Sequence, residues 1–412
     1  MEVIHRDCCG LDIHKDTIVA CMRHTPNGEP MVELVRTFKT TTAGILELGD
    51  WLAEQQVTIA AMEATGIYWK PIWNLLEGRL ELMLVNAHDV KQVPGRKTDV
   101  KDAQWIAQLL ACGLLRASFV PARPQRELRD LARTRASLLQ DRARVANRLQ
   151  KTLEDANIKL GSVATDVLGA SGRDMIRALI EGKMSPQAMA ELARKRMRSK
   201  IPQLTEALNG KANEHHRFML KLLLEQIEQM EQHVSKLNMR IDEVMSPLEQ
   251  TAIKMLDEIP GIDRRAAENI IAEIGTDMNR FATAGHLASW AGLCPGNNQS
   301  AGKRRSGRMT DGNRWLKATL NQCAWAASRK KNSYFFAQHR RIASRRGVKR
   351  ATMAVAHAQL CTCWEMLKQG VCYNDLGSNY FDQMNADRVK RQLVKRLESL
   401  GYNVALEKRD AA

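Results

Sequence analysis

The chain has 412 residues, 44% hydrophobic and 26% charged, a globular mixture that excludes wholesale disorder and implies about two to four domains. Lysine and arginine number 62 against 46 acids, a net charge of +16. An excess of that sign points to a polyanion, with nucleic acid ahead of an anionic membrane. No stretch approaches the roughly 20 apolar residues that span a bilayer. The first residues lack the basic start and apolar run of a signal peptide, and the nine cysteines include no Cys-x-x-Cys pair or zinc-finger spacing. A cytoplasmic protein with reduced, mostly buried thiols is expected.

The first ~120 residues alternate strand and helix patterns. Arg6–His14 reads as a strand, and Thr17–Arg23 and Met31–Phe38 flank the turn signal Pro26-Asn27-Gly28-Glu29. Ile45–Gln55 has helical spacing, Val57–Ala64 is a short β run, Ile67–Leu76 reads as a helix and Glu81–Asn86 as a strand. Asp99–Leu115 is helical, with apolar residues at Ile106, Leu109, Leu110 and Leu114. A hairpin followed by βαβα units predicts a mixed sheet covered by helices.

From Gln125 to about Leu160 the pattern is helical and arginine-rich. Leu220, Leu223, Ile227, Met230, Val234, Leu237, Ile241 and Val244 form a 3-4 repeat over more than three heptads. That is the pattern of a coiled-coil seam for self-association, or of a helical hairpin within one subunit. After Pro247, the run from Ile253 through Pro260-Gly261-Ile262-Asp263 to the helical Ala266–Ile274 resembles a helix-hairpin-helix. Such a turn offers backbone N–H groups to a DNA phosphate. Asp263 occupies the place of the second glycine and disfavours that contact.

Residues 301–350 carry fifteen bases and one acid, Asp311, so they hold +14 of the chain's +16. Trp315, Trp325, Tyr334, Phe335 and Phe336 interleave with those bases, as in a nucleic-acid interface. The last ~35 residues read as a helical tail without recognisable chemistry.

Four carboxylates stand out. Asp12 lies inside the strand pattern Cys9-Gly10-Leu11-Asp12-Ile13, where aspartate is disfavoured. Glu63 ends the apolar strand Ile59–Glu63, and ligands gather beyond the carboxyl ends of strands in open α/β sheets. Asp99 and Asp102 are three apart, one turn above each other on a helix face that continues into Ile106 and Leu109 and is expected to look inward. Converging carboxylates repel unless cations neutralise them, and hard oxygen ligands select Mg²⁺ or Mn²⁺. Taken singly, each residue also suits an ordinary role: a strand-end turn for Asp12, a cap for Glu63, a helix N-terminus for the two aspartates.

Gly10-Leu11-Asp12-Ile13-His14-Lys15, Met62-Glu63-Ala64-Thr65-Gly66 and Thr98-Asp99-Val100-Lys101-Asp102-Ala103 resemble the DEDD motifs of a RuvC-like (RNase H-like) domain. Ala291–Arg304 and Gly312-Asn313-Arg314-Trp315-Leu316 resemble the C-terminal domain of transposases of the IS one-ten insertion-sequence family, also called bridge-RNA-guided recombinases. The resemblance covers about residues 5–345.

With the pattern along the chain it suggests four segments: a RuvC-like catalytic domain at 1–122, a helical coiled-coil oligomerisation region at 123–249, a C-terminal transposase domain with the helix-hairpin-helix-like turn and a serine loop at 250–350, and, beyond the resemblance, a helical extension at 351–412. It further implies Asp12, Glu63, Asp99 and Asp102 as catalytic metal ligands for Mg²⁺, with Mn²⁺ as substitute. Ser300 is the implied nucleophile, with Ser289 and Ser306 as runners-up. Lys303, Arg304, Arg305, Arg308, Arg314 and Lys317 would bind nucleic acid. The implied partners are DNA, a noncoding guide RNA (held partly by the arginine-rich Arg126–Arg148 stretch) and further copies of the chain in a homo-oligomer. The competing expectations are a RuvC-like nuclease or junction resolvase acting by hydrolysis, and an architectural nucleic-acid-binding protein with a decayed site.

Overall fold

Alternating apolar side chains in the first forty residues build a three-stranded antiparallel meander of β1 (Asp7–Ile13), β2 (Thr17–His24) and β3 (Val32–Lys39). This is a computed structural model describing residues 3–26, 30–64, 66–86, 90, 102–296, 298–306, 309–384 and 386–406, with backbone alone at 298–300, 304–306 and 388–389. The turn at 27–29, Asp99, His88 and Arg308 lie outside the described residues. The chain divides into two compact units, Met1–Pro121 and Ala122–Ala412.

In the first unit, α1 (Thr42–Glu54) starts where the Thr41 hydroxyl accepts from the Gly44 N–H. It leads to β4 (Ile59–Glu63), which joins the other side of β1 in parallel register, Leu11 opposite Met62. Next, α2 (Trp69–Leu76) returns the chain to β5 (Glu81–Val85), parallel to β4. The sheet order is β3-β2-β1-β4-β5. The period of two sorts β1 between two cores. Cys9, Leu11 and Ile13 pack with Ile45, Leu48, Leu52, Ile72 and Leu76 of α1 and α2. Each such buried aliphatic side chain contributes roughly 1.5–3 kcal/mol.

Cys8, Gly10 and Asp12 face the other side, where α3 (Asp102–Ala111) lies on the sheet. There Cys8 packs with Ile106 and Leu110. Gly10 permits the contact, because a Cβ there would stand 2.2 Å from the Ala103 carbonyl oxygen and 2.4 Å from the Ala107 nitrogen. This is the mixed, helix-covered sheet expected from the sequence.

The second unit is helical apart from one small hairpin. Its longest helix, α4 (Arg123–Asp155), runs about 50 Å. It pairs with α6 (Glu214–Val244), while α5 (Ala170–Glu181) closes the far end. Arg142 donates to Glu231 and Arg135 to Asn238, so positions rise along α4 as they fall along α6 and the pair is antiparallel. The 3-4 repeat thus has its partner inside the chain: Leu220, Leu223 and Ile227 are buried with Val145, Leu149 and Leu153, whereas Val244 is 38% exposed.

A capping box, Ser246 with Glu249, opens α7 (Pro247–Asp257). After the Pro260-Gly261-Ile262 turn comes α8 (Arg264–Ile274). Gly261, at φ +86, sits against the Cys323 carbonyl and the Ala327 nitrogen, and the Pro260 carbonyl accepts from buried Gln359. The Asp263 carboxylate itself caps α8, accepting from the Ala266 N–H at 2.8 Å. The turn therefore packs the core, and an acid already occupies the helix N-terminus that the helix-hairpin-helix expectation reserved for phosphate.

Beyond these come α9 (Ala284–Trp290), the strands β6 (Asn298–Ser300) and β7 (Lys303–Ser306), α10 (Arg314–Ala327), α11 (Tyr334–Arg346), α12 (Val348–Gln369) and α13 (Ala386–Glu398). Helix α12 crosses position 350 and buries Val355, Leu360 and Cys363 among its neighbours. Five of the nine cysteines are buried, and all nine are free thiols. No described helix is long and apolar enough to cross a membrane.

Candidate active site and nucleic-acid surface

Parallel register carries Asp12 and Glu63 past the last paired residues, Leu11 and Met62, to the carboxyl ends of adjacent strands. The Gly10 contact brings the first residue of α3, Asp102, to the same end of β1. The electrostatics record the gathering. Burial pushes the Asp12 carboxyl above its ordinary value, His14 opposes this, and the like charges of Asp102 and Glu63 add to it. His14 Nε2 stands 3.2 Å from Asp12 Oδ2. Sequence reasoning left His14 unassigned; its place two residues from Asp12, beyond the strand end, was the available signal.

One expectation fails in orientation. Ile106 and Leu109 are buried, but Asp102 is exposed rather than turned inward with them. It is the first described residue of α3, one ahead of Ala103, which meets the sheet, and an acid in a first turn complements the helix dipole. Asp99 lies outside the described residues. Among those described, no group of three or more His, Cys, Asp or Glu side chains closes to metal-ligating geometry. Carboxylate oxygens are the donors a hard divalent cation takes, and burial together with the nearby like charges drives Asp12 to hold its proton more tightly.

In the second unit the serine lies in a built hairpin. Ser300 pairs with Lys303 across Ala301 (φ +48) and Gly302 (φ +73), a two-residue loop with both central residues left-handed. Glycine adopts that conformation freely; alanine does so only under strain. The hairpin's base is fixed twice. Pro295 bridges Met309, and Gly292 meets Gly312 so closely that a Cβ on Gly312 would stand 2.3 Å from the Gly292 nitrogen. Asn313 then caps α10, its Oδ1 accepting from Trp315 and Leu316 N–H at 3.1 Å.

The basic stretch presents an open surface. Of its described side chains, Lys303, Arg314, Arg329, Lys330, Lys331, Arg340, Arg341, Arg345, Arg346, Lys349 and Arg350 are exposed, and Lys317 is partly so. Among the described residues none of them forms an ion pair. The backbone of Arg304 and Arg305 lies in β7. The interleaved aromatics are mostly structural: Phe335 is 2% exposed, and Tyr334 stacks on Phe381 at 5.2 Å between centroids. Trp325, 40% exposed, remains at the surface.

Part of the arginine-rich helix is engaged within the fold. Arg129 and Arg133 bind Glu273, Arg135 binds Glu268, and Arg142 binds Glu231. These guanidinium groups brace the fold, while Arg144 and Arg148 of the same helix are exposed.

A sheet bearing strand-end carboxylates and a helical unit bearing many exposed cations suit a nucleic-acid-processing enzyme. Comparison with known families is specific on which. A DEDD transposase family of the IS110 type matches residues 9–158, and the transposase IS116/IS110/IS902 family matches residues 253–340. Together they span more than half of the chain, which belongs to the IS110 transposases and is a DNA transposase. No curated protein matches it.

Proposed function

We propose that the chain cuts and rejoins the DNA of an insertion sequence through a serine–phosphodiester intermediate. The first unit acts as a RuvC-like (RNase H-like) domain in which Asp12, Glu63, Asp99 and Asp102 hold Mg²⁺, with Mn²⁺ as substitute. The bound ion would polarise a phosphoryl oxygen. The observation that carries this is the convergence of Asp12, Glu63 and Asp102 at one sheet end, with the repulsion it imposes on Asp12.

Ser300 attacks phosphorus. Its Oγ–P bond forms as the hydroxyl gives up its proton, the P–O bond to one deoxyribose breaks, and the departing sugar oxygen takes up one proton, so the exchange balances. One phosphodiester is replaced by another, so the strand is resealed when a sugar hydroxyl displaces the serine, and no nucleotide cofactor is consumed. The strained Ala301–Gly302 turn holds Ser300 at a hairpin tip, and Lys303 opens the neighbouring strand. The cations of 303–350 hold the nucleic acid. Family resemblance supplies the remainder of the reading: a noncoding RNA selects the DNA by base pairing, a homo-oligomer completes the site, and the reaction takes place in the cytoplasm.

The test is retention of labelled DNA on the denatured protein with a cognate element end. The wild type forms the adduct in the presence of Mg²⁺, and Ser300→Ala and Asp12→Asn do not. A second reading, hydrolysis by a nuclease or junction resolvase, is favoured by one fact: all the gathered carboxylates lie in the first unit. It predicts free 5′-phosphate ends, no adduct, and indifference to Ser300.

A further inference from the structure

A trough of about 490 Å³ opens in the second unit, and no described residue of the serine hairpin lines it. Helix α8 contacts both α4 and α10, and forms its floor with Asn269; α4 and α10 stand as its walls. The lining residues Trp315, Ala318, Thr319 and Gln322 recur at helical spacing along one face of α10. Leu139, 48% exposed, stands on the opposite wall. The space falls in the range of small-ligand sites.

Its polar groups are oriented from below. Arg135, 3% exposed, donates to Asn238 Oδ1 at 3.0 Å and to Asn269 Oδ1 at 2.8 Å. Arginine has donors only, so both amides must meet it with their oxygens, which commits their NH₂ groups as donors. Among the described residues neither amide nitrogen donates to a protein acceptor, and neither is sealed from solvent. At the rim, the Arg314 and Arg133 guanidinium groups lie 5.0 and 5.9 Å from the Trp315 ring. Arg133 is held by Glu273, whereas Arg314 is unpaired among the described residues.

We propose that this trough receives one unstacked nucleobase of a single strand, whose phosphate rests on Arg314. The inference rests on the nucleic-acid reading above and adds a site to it. The apolar walls exclude water from the ring, and two fixed NH₂ donors call for carbonyl or ring-nitrogen acceptors on the base edge. Strand binding by phosphate contacts alone needs none of these features.

The test measures binding of the full chain to a 20-nucleotide oligo-dT, to oligo-U of the same length, and to an abasic backbone of that length. The wild type is expected to bind at least one base-bearing strand about tenfold more tightly than the abasic one, and the dT and U arms report whether DNA or RNA supplies the base. Ala318→Trp, and separately Gln140→Trp, fill the trough from exposed positions on opposite walls. Either should erase that advantage while leaving abasic binding and its salt dependence unchanged. Gln232→Trp, exposed on α6 outside the trough, should change nothing. Equal binding of base-bearing and abasic strands by the wild type overturns the proposal, as does a filled trough that keeps the advantage. If the wild type binds none of the three strands, the nucleic-acid reading fails and the trough assignment with it.

Discussion

Asn313 Nδ2 donates to Glu273 Oε2 at 2.6 Å, while the same side chain's oxygen caps α10. Glu273 also binds Arg133 through both its oxygens, at 2.7 and 2.9 Å, and its backbone carbonyl accepts from Arg129 at 2.6 Å. One carboxylate, 3% exposed, therefore ties α4 to the chain leaving the serine hairpin. Burial pushes Arg129 down to about 10, against the pull of Glu273.

Removing that carboxylate leaves guanidinium groups without their partner. Glu273→Ala should lower the unfolding free energy by about 3 kcal/mol, near the low end for a broken buried pair because Arg133 is partly solvated. Urea unfolding measures it, and a loss below about 0.5 kcal/mol, the scale of ordinary surface substitutions, would remove Glu273 from its structural role.

Glu268 makes a pH prediction. Burial alone would raise its carboxyl, but hydrogen bonds from Arg135 and Arg265 outweigh burial and hold it below the ordinary value of 4.5. A depressed folded value contributes stability above the unfolded value, and that stability is lost as pH falls through the folded one. Wild type should exceed Glu268→Gln by about 3–5 kcal/mol at pH 7. The gap should close as pH drops below about 4.5. Denaturant unfolding across that range checks it; a gap that widens in acid contradicts it.

Burial, and after it the like charges of Asp102 and Glu63, oppose the Asp12 carboxylate, so neutralising it relieves that cost in the metal-free chain. Asp12→Asn should raise the melting midpoint by a few degrees without metal. Mg²⁺ should raise the wild-type midpoint and leave that of the variant unmoved, because a ligand stabilises only the state that binds it. Scanning calorimetry with and without Mg²⁺ distinguishes this from a purely structural aspartate, which predicts a lower midpoint on substitution.

Arg345, Arg346, Lys349 and Arg350 are exposed around the junction of α11 and α12. Replacing all four with Gln should weaken duplex DNA binding uniformly across sequences. It should also flatten the salt dependence, by about 0.9 in slope for each phosphate no longer neutralised. An unchanged slope would place the DNA elsewhere.

The five strands of the first unit were legible because β1 alternates around Gly10 and Asp12, β2 and β3 are apolar-rich runs flanking a turn signal, and β4 and β5 are short, mostly apolar runs between helical segments. The outward turn of Asp102 was not legible: helical spacing fixes relative angle, not where packing begins. Nor were the partners of the α4 arginines, since Glu268 and Glu273 lie more than 130 residues away in sequence. Tyr334 and Phe335 read as interface because their packing partners, Phe381 and Tyr373, are equally distant from any local pattern. The β6–β7 hairpin escaped notice because strands of three and four polar residues carry no alternation. The small residues around Ser300 were visible, whereas the left-handed Ala301 was not.

In the proposed reaction it is Ser300, aided by the gathered carboxylates, that becomes bonded to DNA. Mass spectrometry of the tryptic peptide spanning 281–303, taken after reaction with a cognate element end, reads it directly. A nucleotide remnant on Ser300, absent from Asp12→Asn, is the predicted result. A remnant on Ser289, or unmodified peptide beside DNA cut to free 5′-phosphates, would contradict it.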